Sequence, residues 1–335
     1  NDYSDVQNFN YKLDIDDGVE STAKLFSSCS NFNQTVTIPN SVTNCAEMFS
    51  SCSNFNQTVS IPDSVTNCYD MFLYCENFNQ PIHIPNSATN CDMMFYCCKK
   101  FNQSVTIPEG VTRCSALFTQ CEMFNSEVTL HNSITECSQL FYRCYNFNRP
   151  FNIPDSVTGD ISYDSWGMGG CSGMFMDCNN LNSPITLGNN VKVMTNMFSG
   201  CTKFNQPVNI PESVVFAEDS FKDCTSFKQN ITFGKNIRNL YNAFRNCKNL
   251  GGCSIFINNA NMNVANYATA YMLRDTNLST NVYVYCNNLS VVNATNSLSV
   301  IGQSISWSTI TNGYYNYLYH IVLLRNYSEE TGIIP

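Results

Sequence analysis

Nineteen cysteines and three histidines are the residues of this 335-residue chain best suited to binding a metal, bridging the chain or acting as nucleophiles. Their positions narrow the chemistry. Ten cysteines lie three residues after a phenylalanine: Cys29, Cys52, Cys75, Cys98, Cys121, Cys144, Cys178, Cys201, Cys224 and Cys247. Six lie four residues before one: Cys45, Cys68, Cys91, Cys114, Cys137 and Cys171. Only Cys97, Cys253 and Cys286 fall outside these columns. A thiol fixed in a periodic column reads as a small buried hydrophobe. Neighbouring units of a stack lie about 5 Å apart, so scattered disulfides between column neighbours remain open. The odd total leaves at least one thiol free or paired between chains. His83, His131 and His320 have no metal-ligand spacing around them. Asp14-Ile-Asp16-Asp17-Gly18 lacks the ligand order of an EF-hand, and Asp17 shares a turn column with Asn40, Asp63 and Asn86. No Gly-rich phosphate loop or nucleophile elbow occurs. We expect no enzymatic activity, no cofactor and no metal.

The phenylalanines that frame these cysteines set the architecture. They are Phe26, Phe49, Phe72, Phe95, Phe118, Phe141, Phe175, Phe198, Phe221 and Phe244. Eight of the nine intervals are 23 residues, and the interval from Phe141 to Phe175 is 34. A fixed period of this length means a solenoid, in which each repeat buries its apolar face against its neighbours. In the copy at residues 32–54, Thr35-Val36-Thr37-Ile38 alternates as a half-buried strand, and Pro39 ends it. Thr43 reads as a helix N-cap. Cys45, Phe49 and Cys52 follow at i, i+4 and i+7, one helical face. The expected unit is a strand, a turn and about two helical turns. Its strands would line a concave sheet in a rod or arc roughly 50 Å long. Asn10, Asn33, Asn56 and their successors recur after a second aromatic column beginning Phe9, Phe32, Phe55. One Asn per rung can satisfy backbone groups where the chain bends. The sequons at Asn33 and Asn56 coincide with this column and read as by-products of the repeat.

The run Ser-Val-Thr-x-Cys-x-x-Met-Phe-x-x-Cys-x-x-Phe-Asn-x-x-Val-x-Ile-Pro resembles the BspA-like (Treponema-type) leucine-rich repeat. It spans roughly Phe9 to Leu250. Phe-Asn-Gln stands where that family usually has leucine after the second cysteine, and Met mostly replaces the usual Ala before Phe. The resemblance implies an α/β solenoid, a right-handed leucine-rich-repeat-like stack of about ten strand–turn–short-helix repeats with a C-terminal cap. It also implies cell-surface adhesion and recognition of a host or bacterial surface protein or glycan. Similar repeats in phage tail proteins make a virion or extracellular filament component the alternative.

Three regions are expected: residues 1–25 as a first rung or cap, 26–250 as the solenoid, and 251–335 as degenerate repeats and a C-terminal cap. Ile255, Ile257, Val282 and Val284 suggest two further strands, and residues 263–273 a helix between them. The aromatic-rich tail closes the open sheet edge and offers a surface for self-assembly. A net charge of −9 argues against a nucleic-acid partner. No apolar run reaches the length of a membrane span. Asn1 in place of Met leads to the expectation that a leader or larger N-terminal region was removed, consistent with an extracellular or cell-surface location.

Two regions carry the expected binding residues. The outward strand positions include Thr35, Thr37, Thr58, His83, Thr106, Thr129 and Asn152, small polar groups suited to a glycan or protein. A solvated sheet face explains them equally well. The insertion at residues 159–170 places Asp160, Tyr163, Asp164 and Trp166 on a Gly-rich loop. It would stack a sugar, anchor a protein, or fold its aromatic rings back on the solenoid.

Overall fold

The structure, a computed structural model, describes residues 6–161, 169–258 and 272–276, and strand segments at 282–286, 299–300 and 321–324. The 23-residue unit becomes one rung of a continuous stack. The anchor phenylalanines lie parallel from rung to rung, with Phe26–Phe49 centroids 5.5 Å apart and Phe49–Phe72 5.4 Å apart. The second aromatic column threads between them, as Phe55 sits 4.3 Å from Phe49 and 5.9 Å from Phe32. Leu181 and Leu250 take the same buried slot. Each large apolar side chain is thus covered by copies of itself above and below.

The expected helix does not form. Among the described residues, helical backbone is confined to residues 6–7. The segment from Cys45 to Cys52 is a chain of tight turns, in which the N–H groups of Met48, Ser50 and Cys52 donate to Cys45, Glu47 and Phe49 carbonyls at 2.9–3.1 Å. The intervening N–H groups of Cys45, Glu47, Phe49 and Ser51 leave the rung and donate to Asn67, Tyr69, Met71 and Leu73 carbonyls at 2.6–3.0 Å. This requires left-handed backbone two residues before and two residues after each anchor: Glu47 at φ 56° and Ser51 at φ 63° in this rung, Asp70 at 54° and Tyr74 at 58° in the next. An eight-residue helix would bear the cost of nucleation for few internal bonds. The turn form sends half its donors into the next rung, and Asn44 Oδ1 accepts the Ala46 N–H at 3.0 Å at its start. Thr43 joins this arrangement, its hydroxyl donating to the Glu20 carbonyl at 3.3 Å rather than capping a helix.

The opposite side is more lightly bonded. Val36, Thr37 and Ile38 alternate buried, exposed, buried, as the period-2 pattern requires. Paired strands appear later along the stack. Strands β1 (Val105–Thr106) and β2 (Val128–Thr129) pair in parallel, as do β3 (Phe151–Asn152) and β4 (Ile185–Thr186). A five-stranded parallel sheet then joins β5 (Ile231–Phe233), β6 (Ser254–Ile257), β7 (Val282–Cys286), β9 (Ile321–Leu324) and β8 (Ser299–Val300) in that order. Most of the tail's aromatic residues, including Trp307, lie outside the described residues, as do residues 263–271 of the expected helix.

The bend between the two sides is held by the asparagine column. Asn33 Oδ1 accepts the backbone N–H of Asn56 at 2.9 Å and Gln57 Nε2 at 3.1 Å. The same pair of bonds recurs at Asn10, Asn56 and Asn79.

Candidate functional site

Eighteen cysteines are free and buried, and the side chain of Cys286 lies outside the described residues. The thiols of the column after the anchor point at the previous rung: Cys52 Sγ donates to the Phe26 carbonyl at 2.9 Å, Cys75 to Phe49 at 3.0 Å, and Cys247 to Phe221 at 2.9 Å. A thiol that donates is protonated, and burial pushes Cys52 up to about 12. Burial and donation to a carbonyl both favour the protonated thiol, its less reactive form. Among the described residues no group of three His, Cys, Asp or Glu could hold a metal ion. No described helix is long and apolar enough to cross a membrane.

The strand-side residues named from sequence fall on one exposed strip. Thr35, Thr37, Thr58, His83, Thr106, Thr129 and Asn152 are all solvent-exposed. Their positions are fixed by neighbours that point inward, such as Val105 and Ile107 around Thr106. Thr106 and Thr129 are register partners across the β1–β2 pair, and Asn152 pairs with Thr186 across β3–β4.

The insertion leaves the stack undisturbed. Phe141 and Phe175 flank it in sequence, yet their rings lie 5.7 Å apart, an ordinary rung spacing. The loop leaves after Thr158 and returns at Gly170, whose carbonyl accepts the Cys137 N–H at 2.9 Å, as Asn67 does for Cys45. Its neck is too tight for side chains, since a Cβ on Gly170 would meet the Gly159 backbone at 2.9 Å. Glu136 clamps the return, accepting the Gly170 N–H at 2.7 Å. Ile161 packs on Val193, Val215 and Phe216, where earlier rungs carry Asn44, Thr66 and Asn67. Asp160 is exposed at the loop's base. Tyr163, Asp164 and Trp166 lie outside the described residues.

Some charges on the stack pair between rungs, as in Lys24–Glu47 at 3.3 Å and Lys99–Glu76 at 2.9 Å. Two carboxyls are held well above their ordinary range. Burial raises Asp70 to about 6. Glu218 is fully buried and pushed up to about 7, although Thr195 donates to its Oε2 at 2.8 Å. Reasoning from sequence passed over both, along with the side chains that flank the anchors on the turn side. Residue type gave little signal, because the column that holds Glu218 carries Ala46, Ser115 and Thr195 but also Tyr69 and Asp92.

No curated protein matches the chain. Solved structures that align with it include a leucine-rich repeat protein from Bacteroides ovatus ATCC 8483, at 17% identity and a TM-score of 0.45, covering 81% of this chain and 83% of that one. A leucine rich cell surface protein from Faecalibacterium prausnitzii A2-165 aligns at 20% identity and a TM-score of 0.43, covering 85% of this chain and 89% of that one. The repeats themselves match at residues 3–108, 85–162 and 160–259, over which this chain belongs to the family described as Mycoplasma protein of unknown function, DUF285.

Proposed function

We propose that this chain is a non-enzymatic recognition or adhesion protein of the extracellular space or cell surface, built from BspA-like (Treponema-type) repeats. Its ligand is a surface protein or glycan. The observation that carries this reading is the exposed strip from Thr35 to Asn152, whose small polar side chains are held in register by a stacked core. An ordered surface of this kind meets a partner without first ordering its own backbone, which removes one cost of association. The insertion adds Trp166, a residue type suited to anchor a protein or a sugar.

The test is binding of the purified chain to intact bacterial and host cells. Thr106→Lys with Thr129→Lys, and separately Trp166→Ala, should each weaken retention while the thermal unfolding midpoint stays in place. A chain that binds no cell surface would overturn the reading. Undiminished binding by both variants would remove the strip and the loop from it.

A further inference from the structure

Every rung from Phe26 to Phe244 has a left-handed residue two positions after its anchor. A side chain there costs roughly 1–2 kcal/mol, and only Gly, Asn and Asp visit the region routinely. The last four rungs meet this demand cheaply, with Asp177, Gly200, Asp223 and Asn246, and the first two carry the small Ser28 and Ser51. Four consecutive rungs in the middle do not: they carry Tyr74, Cys97, Gln120 and Arg143 at φ 58–61°. The adjoining column changes over the same rungs, with Tyr96 and Tyr142 where Ser27 and Ser50 stand earlier. The other left-handed column is equally strained at Lys24, Glu47, Met93, Ala116 and Gln139, so what singles out this strip is what its side chains touch.

These side chains touch one another. Tyr74 and Tyr96 meet edge to face at 5.7 Å. Gln120 Nε2 donates to the Tyr96 hydroxyl at 3.3 Å, and Cys97 Sγ donates to Gln120 Oε1 at 3.5 Å. The Arg143 guanidinium lies 4.9 Å from the Tyr142 ring centroid and its Nε donates to Asp177 at 3.3 Å. Tyr74 is 43% exposed. The strip runs across four rungs, three gaps of about 4.8 Å each, so it is long and narrow. Its cations are already paired, Arg143 with Asp177 and neighbouring Lys99 with Glu76, and Glu122 beside them adds a carboxylate that disfavours an anionic ligand. What remains for a ligand is phenol hydroxyls, a carboxamide and ring faces, since an edge-to-face pair leaves at least one face of each ring uncovered by the other. Uncharged hydroxyl donors with apolar C–H faces, repeated along a chain, complement that set.

We propose that the turn-side strip of Tyr74, Tyr96, Gln120, Tyr142 and Arg143 binds a neutral oligosaccharide. The proposal rests on the recognition reading above and places its contact on the opposite side of the rung. The test compares the full chain with Tyr74→Asn/Gln120→Asn, which gives this column the residue it already uses at Asn246. Both are applied to an array of neutral and acidic glycans and to intact cells before and after protease treatment. The wild-type chain should retain neutral glycans, and the double variant should lose at least about tenfold in affinity. Its unfolding midpoint should hold or rise as left-handed strain is relieved, so lost binding is not lost fold. Equal glycan binding by the two chains overturns the strip while leaving recognition intact. Binding to acidic glycans alone overturns the neutral ligand. Cell binding that protease abolishes, with no glycan retained, makes the partner a protein and overturns the proposal. A wild-type chain that binds neither glycans nor cells overturns this proposal and the recognition reading together.

Discussion

The two sides of each rung are joined to their neighbours in different ways. On the turn side, four backbone N–H groups of the Phe49 rung cross to the next rung, and the same crossing runs from Phe26 onward. On the strand side, among the described residues, strand pairing is confined to two-residue ladders at Val105–Thr106, Phe151–Asn152 and their partners until the five-stranded sheet. The familiar division of labour in a strand-and-helix solenoid is therefore reversed here. The side without regular secondary structure carries the continuous hydrogen-bond ladder, and the extended side is held mainly by burial of residues such as Val36 and Ile38. Sequence composition agrees with that division. Proline, which removes a donor, recurs on the strand side at Pro81, Pro150, Pro184 and Pro207.

The largest effect expected from this comparison comes from placing the same residue on each side. Ser51→Pro removes the N–H that reaches the Leu73 carbonyl at 2.6 Å and forbids φ 63°. It should cost more than about 3 kcal/mol. Ser104→Pro, in the exposed strand column that already holds four prolines, should change stability by less than about 0.5 kcal/mol. Urea unfolding of the two variants measures both. Comparable losses would show that the strand side carries as much of the coupling between rungs as the turn side.

The second effect is a gain. Glu218 is buried beside Thr195 and Asp219 on the turn side, with its carboxyl raised from 4.5 to about 7. In the unfolded chain it ionises near its ordinary value, so folding is unpenalised below about pH 4.5. The penalty grows as pH rises towards 7 and is complete above it. Glu218→Gln keeps an acceptor for the Thr195 hydroxyl and removes the charge. It should stabilise the chain by roughly 2–3 kcal/mol at pH 8 and by almost nothing at pH 4. Unfolding midpoints of both chains across that range decide it, and a pH-independent difference would contradict the assignment.

The inward-facing alternation of the strand side, the stacked phenylalanines, the buried thiols and the asparagine bonds were legible from residue spacing, because each needs only to know which side chains point inward. The strand expected at residues 35–38 forms no ladder, and among the described residues strand pairing begins only at Val105. The turn side was not legible. Cys45, Phe49 and Cys52 face the core at i, i+4 and i+7 in a helix, and the observed chain of turns buries the same three. Apolar spacing therefore could not separate the two backbones. The discriminating signal lay in the columns two residues either side of the anchor. Over the last four rungs Gly173, Asn196, Asp219 and Asn242 occupy one, and Asp177, Gly200, Asp223 and Asn246 the other. Residues that favour positive φ, repeated at fixed positions inside a supposed helix, argue against that helix. Of the candidate site, the exposed strip was readable from alternation. The turn-side tyrosines were not, because a helical surface would have shown no strain at Tyr74.

The smallest expected effect tests whether the exposed strand face contributes to folding at all. Thr106 and Thr129 are register partners on β1 and β2, exposed, while the buried Val105 beside them anchors the ladder. Thr106→Val keeps the β-branch, the side-chain volume and every backbone donor, so strand preference is unchanged. Its hydroxyl faces water in both folded and unfolded chains, and stability should move by no more than about 0.5 kcal/mol in urea unfolding. A larger loss would mean that hydroxyl bonds along the strip hold neighbouring rungs together, and the strand side would then share the polar coupling now assigned to the turns. A null result on stability, set beside the large cost of Ser51→Pro, leaves the strip's polar pattern without a folding role.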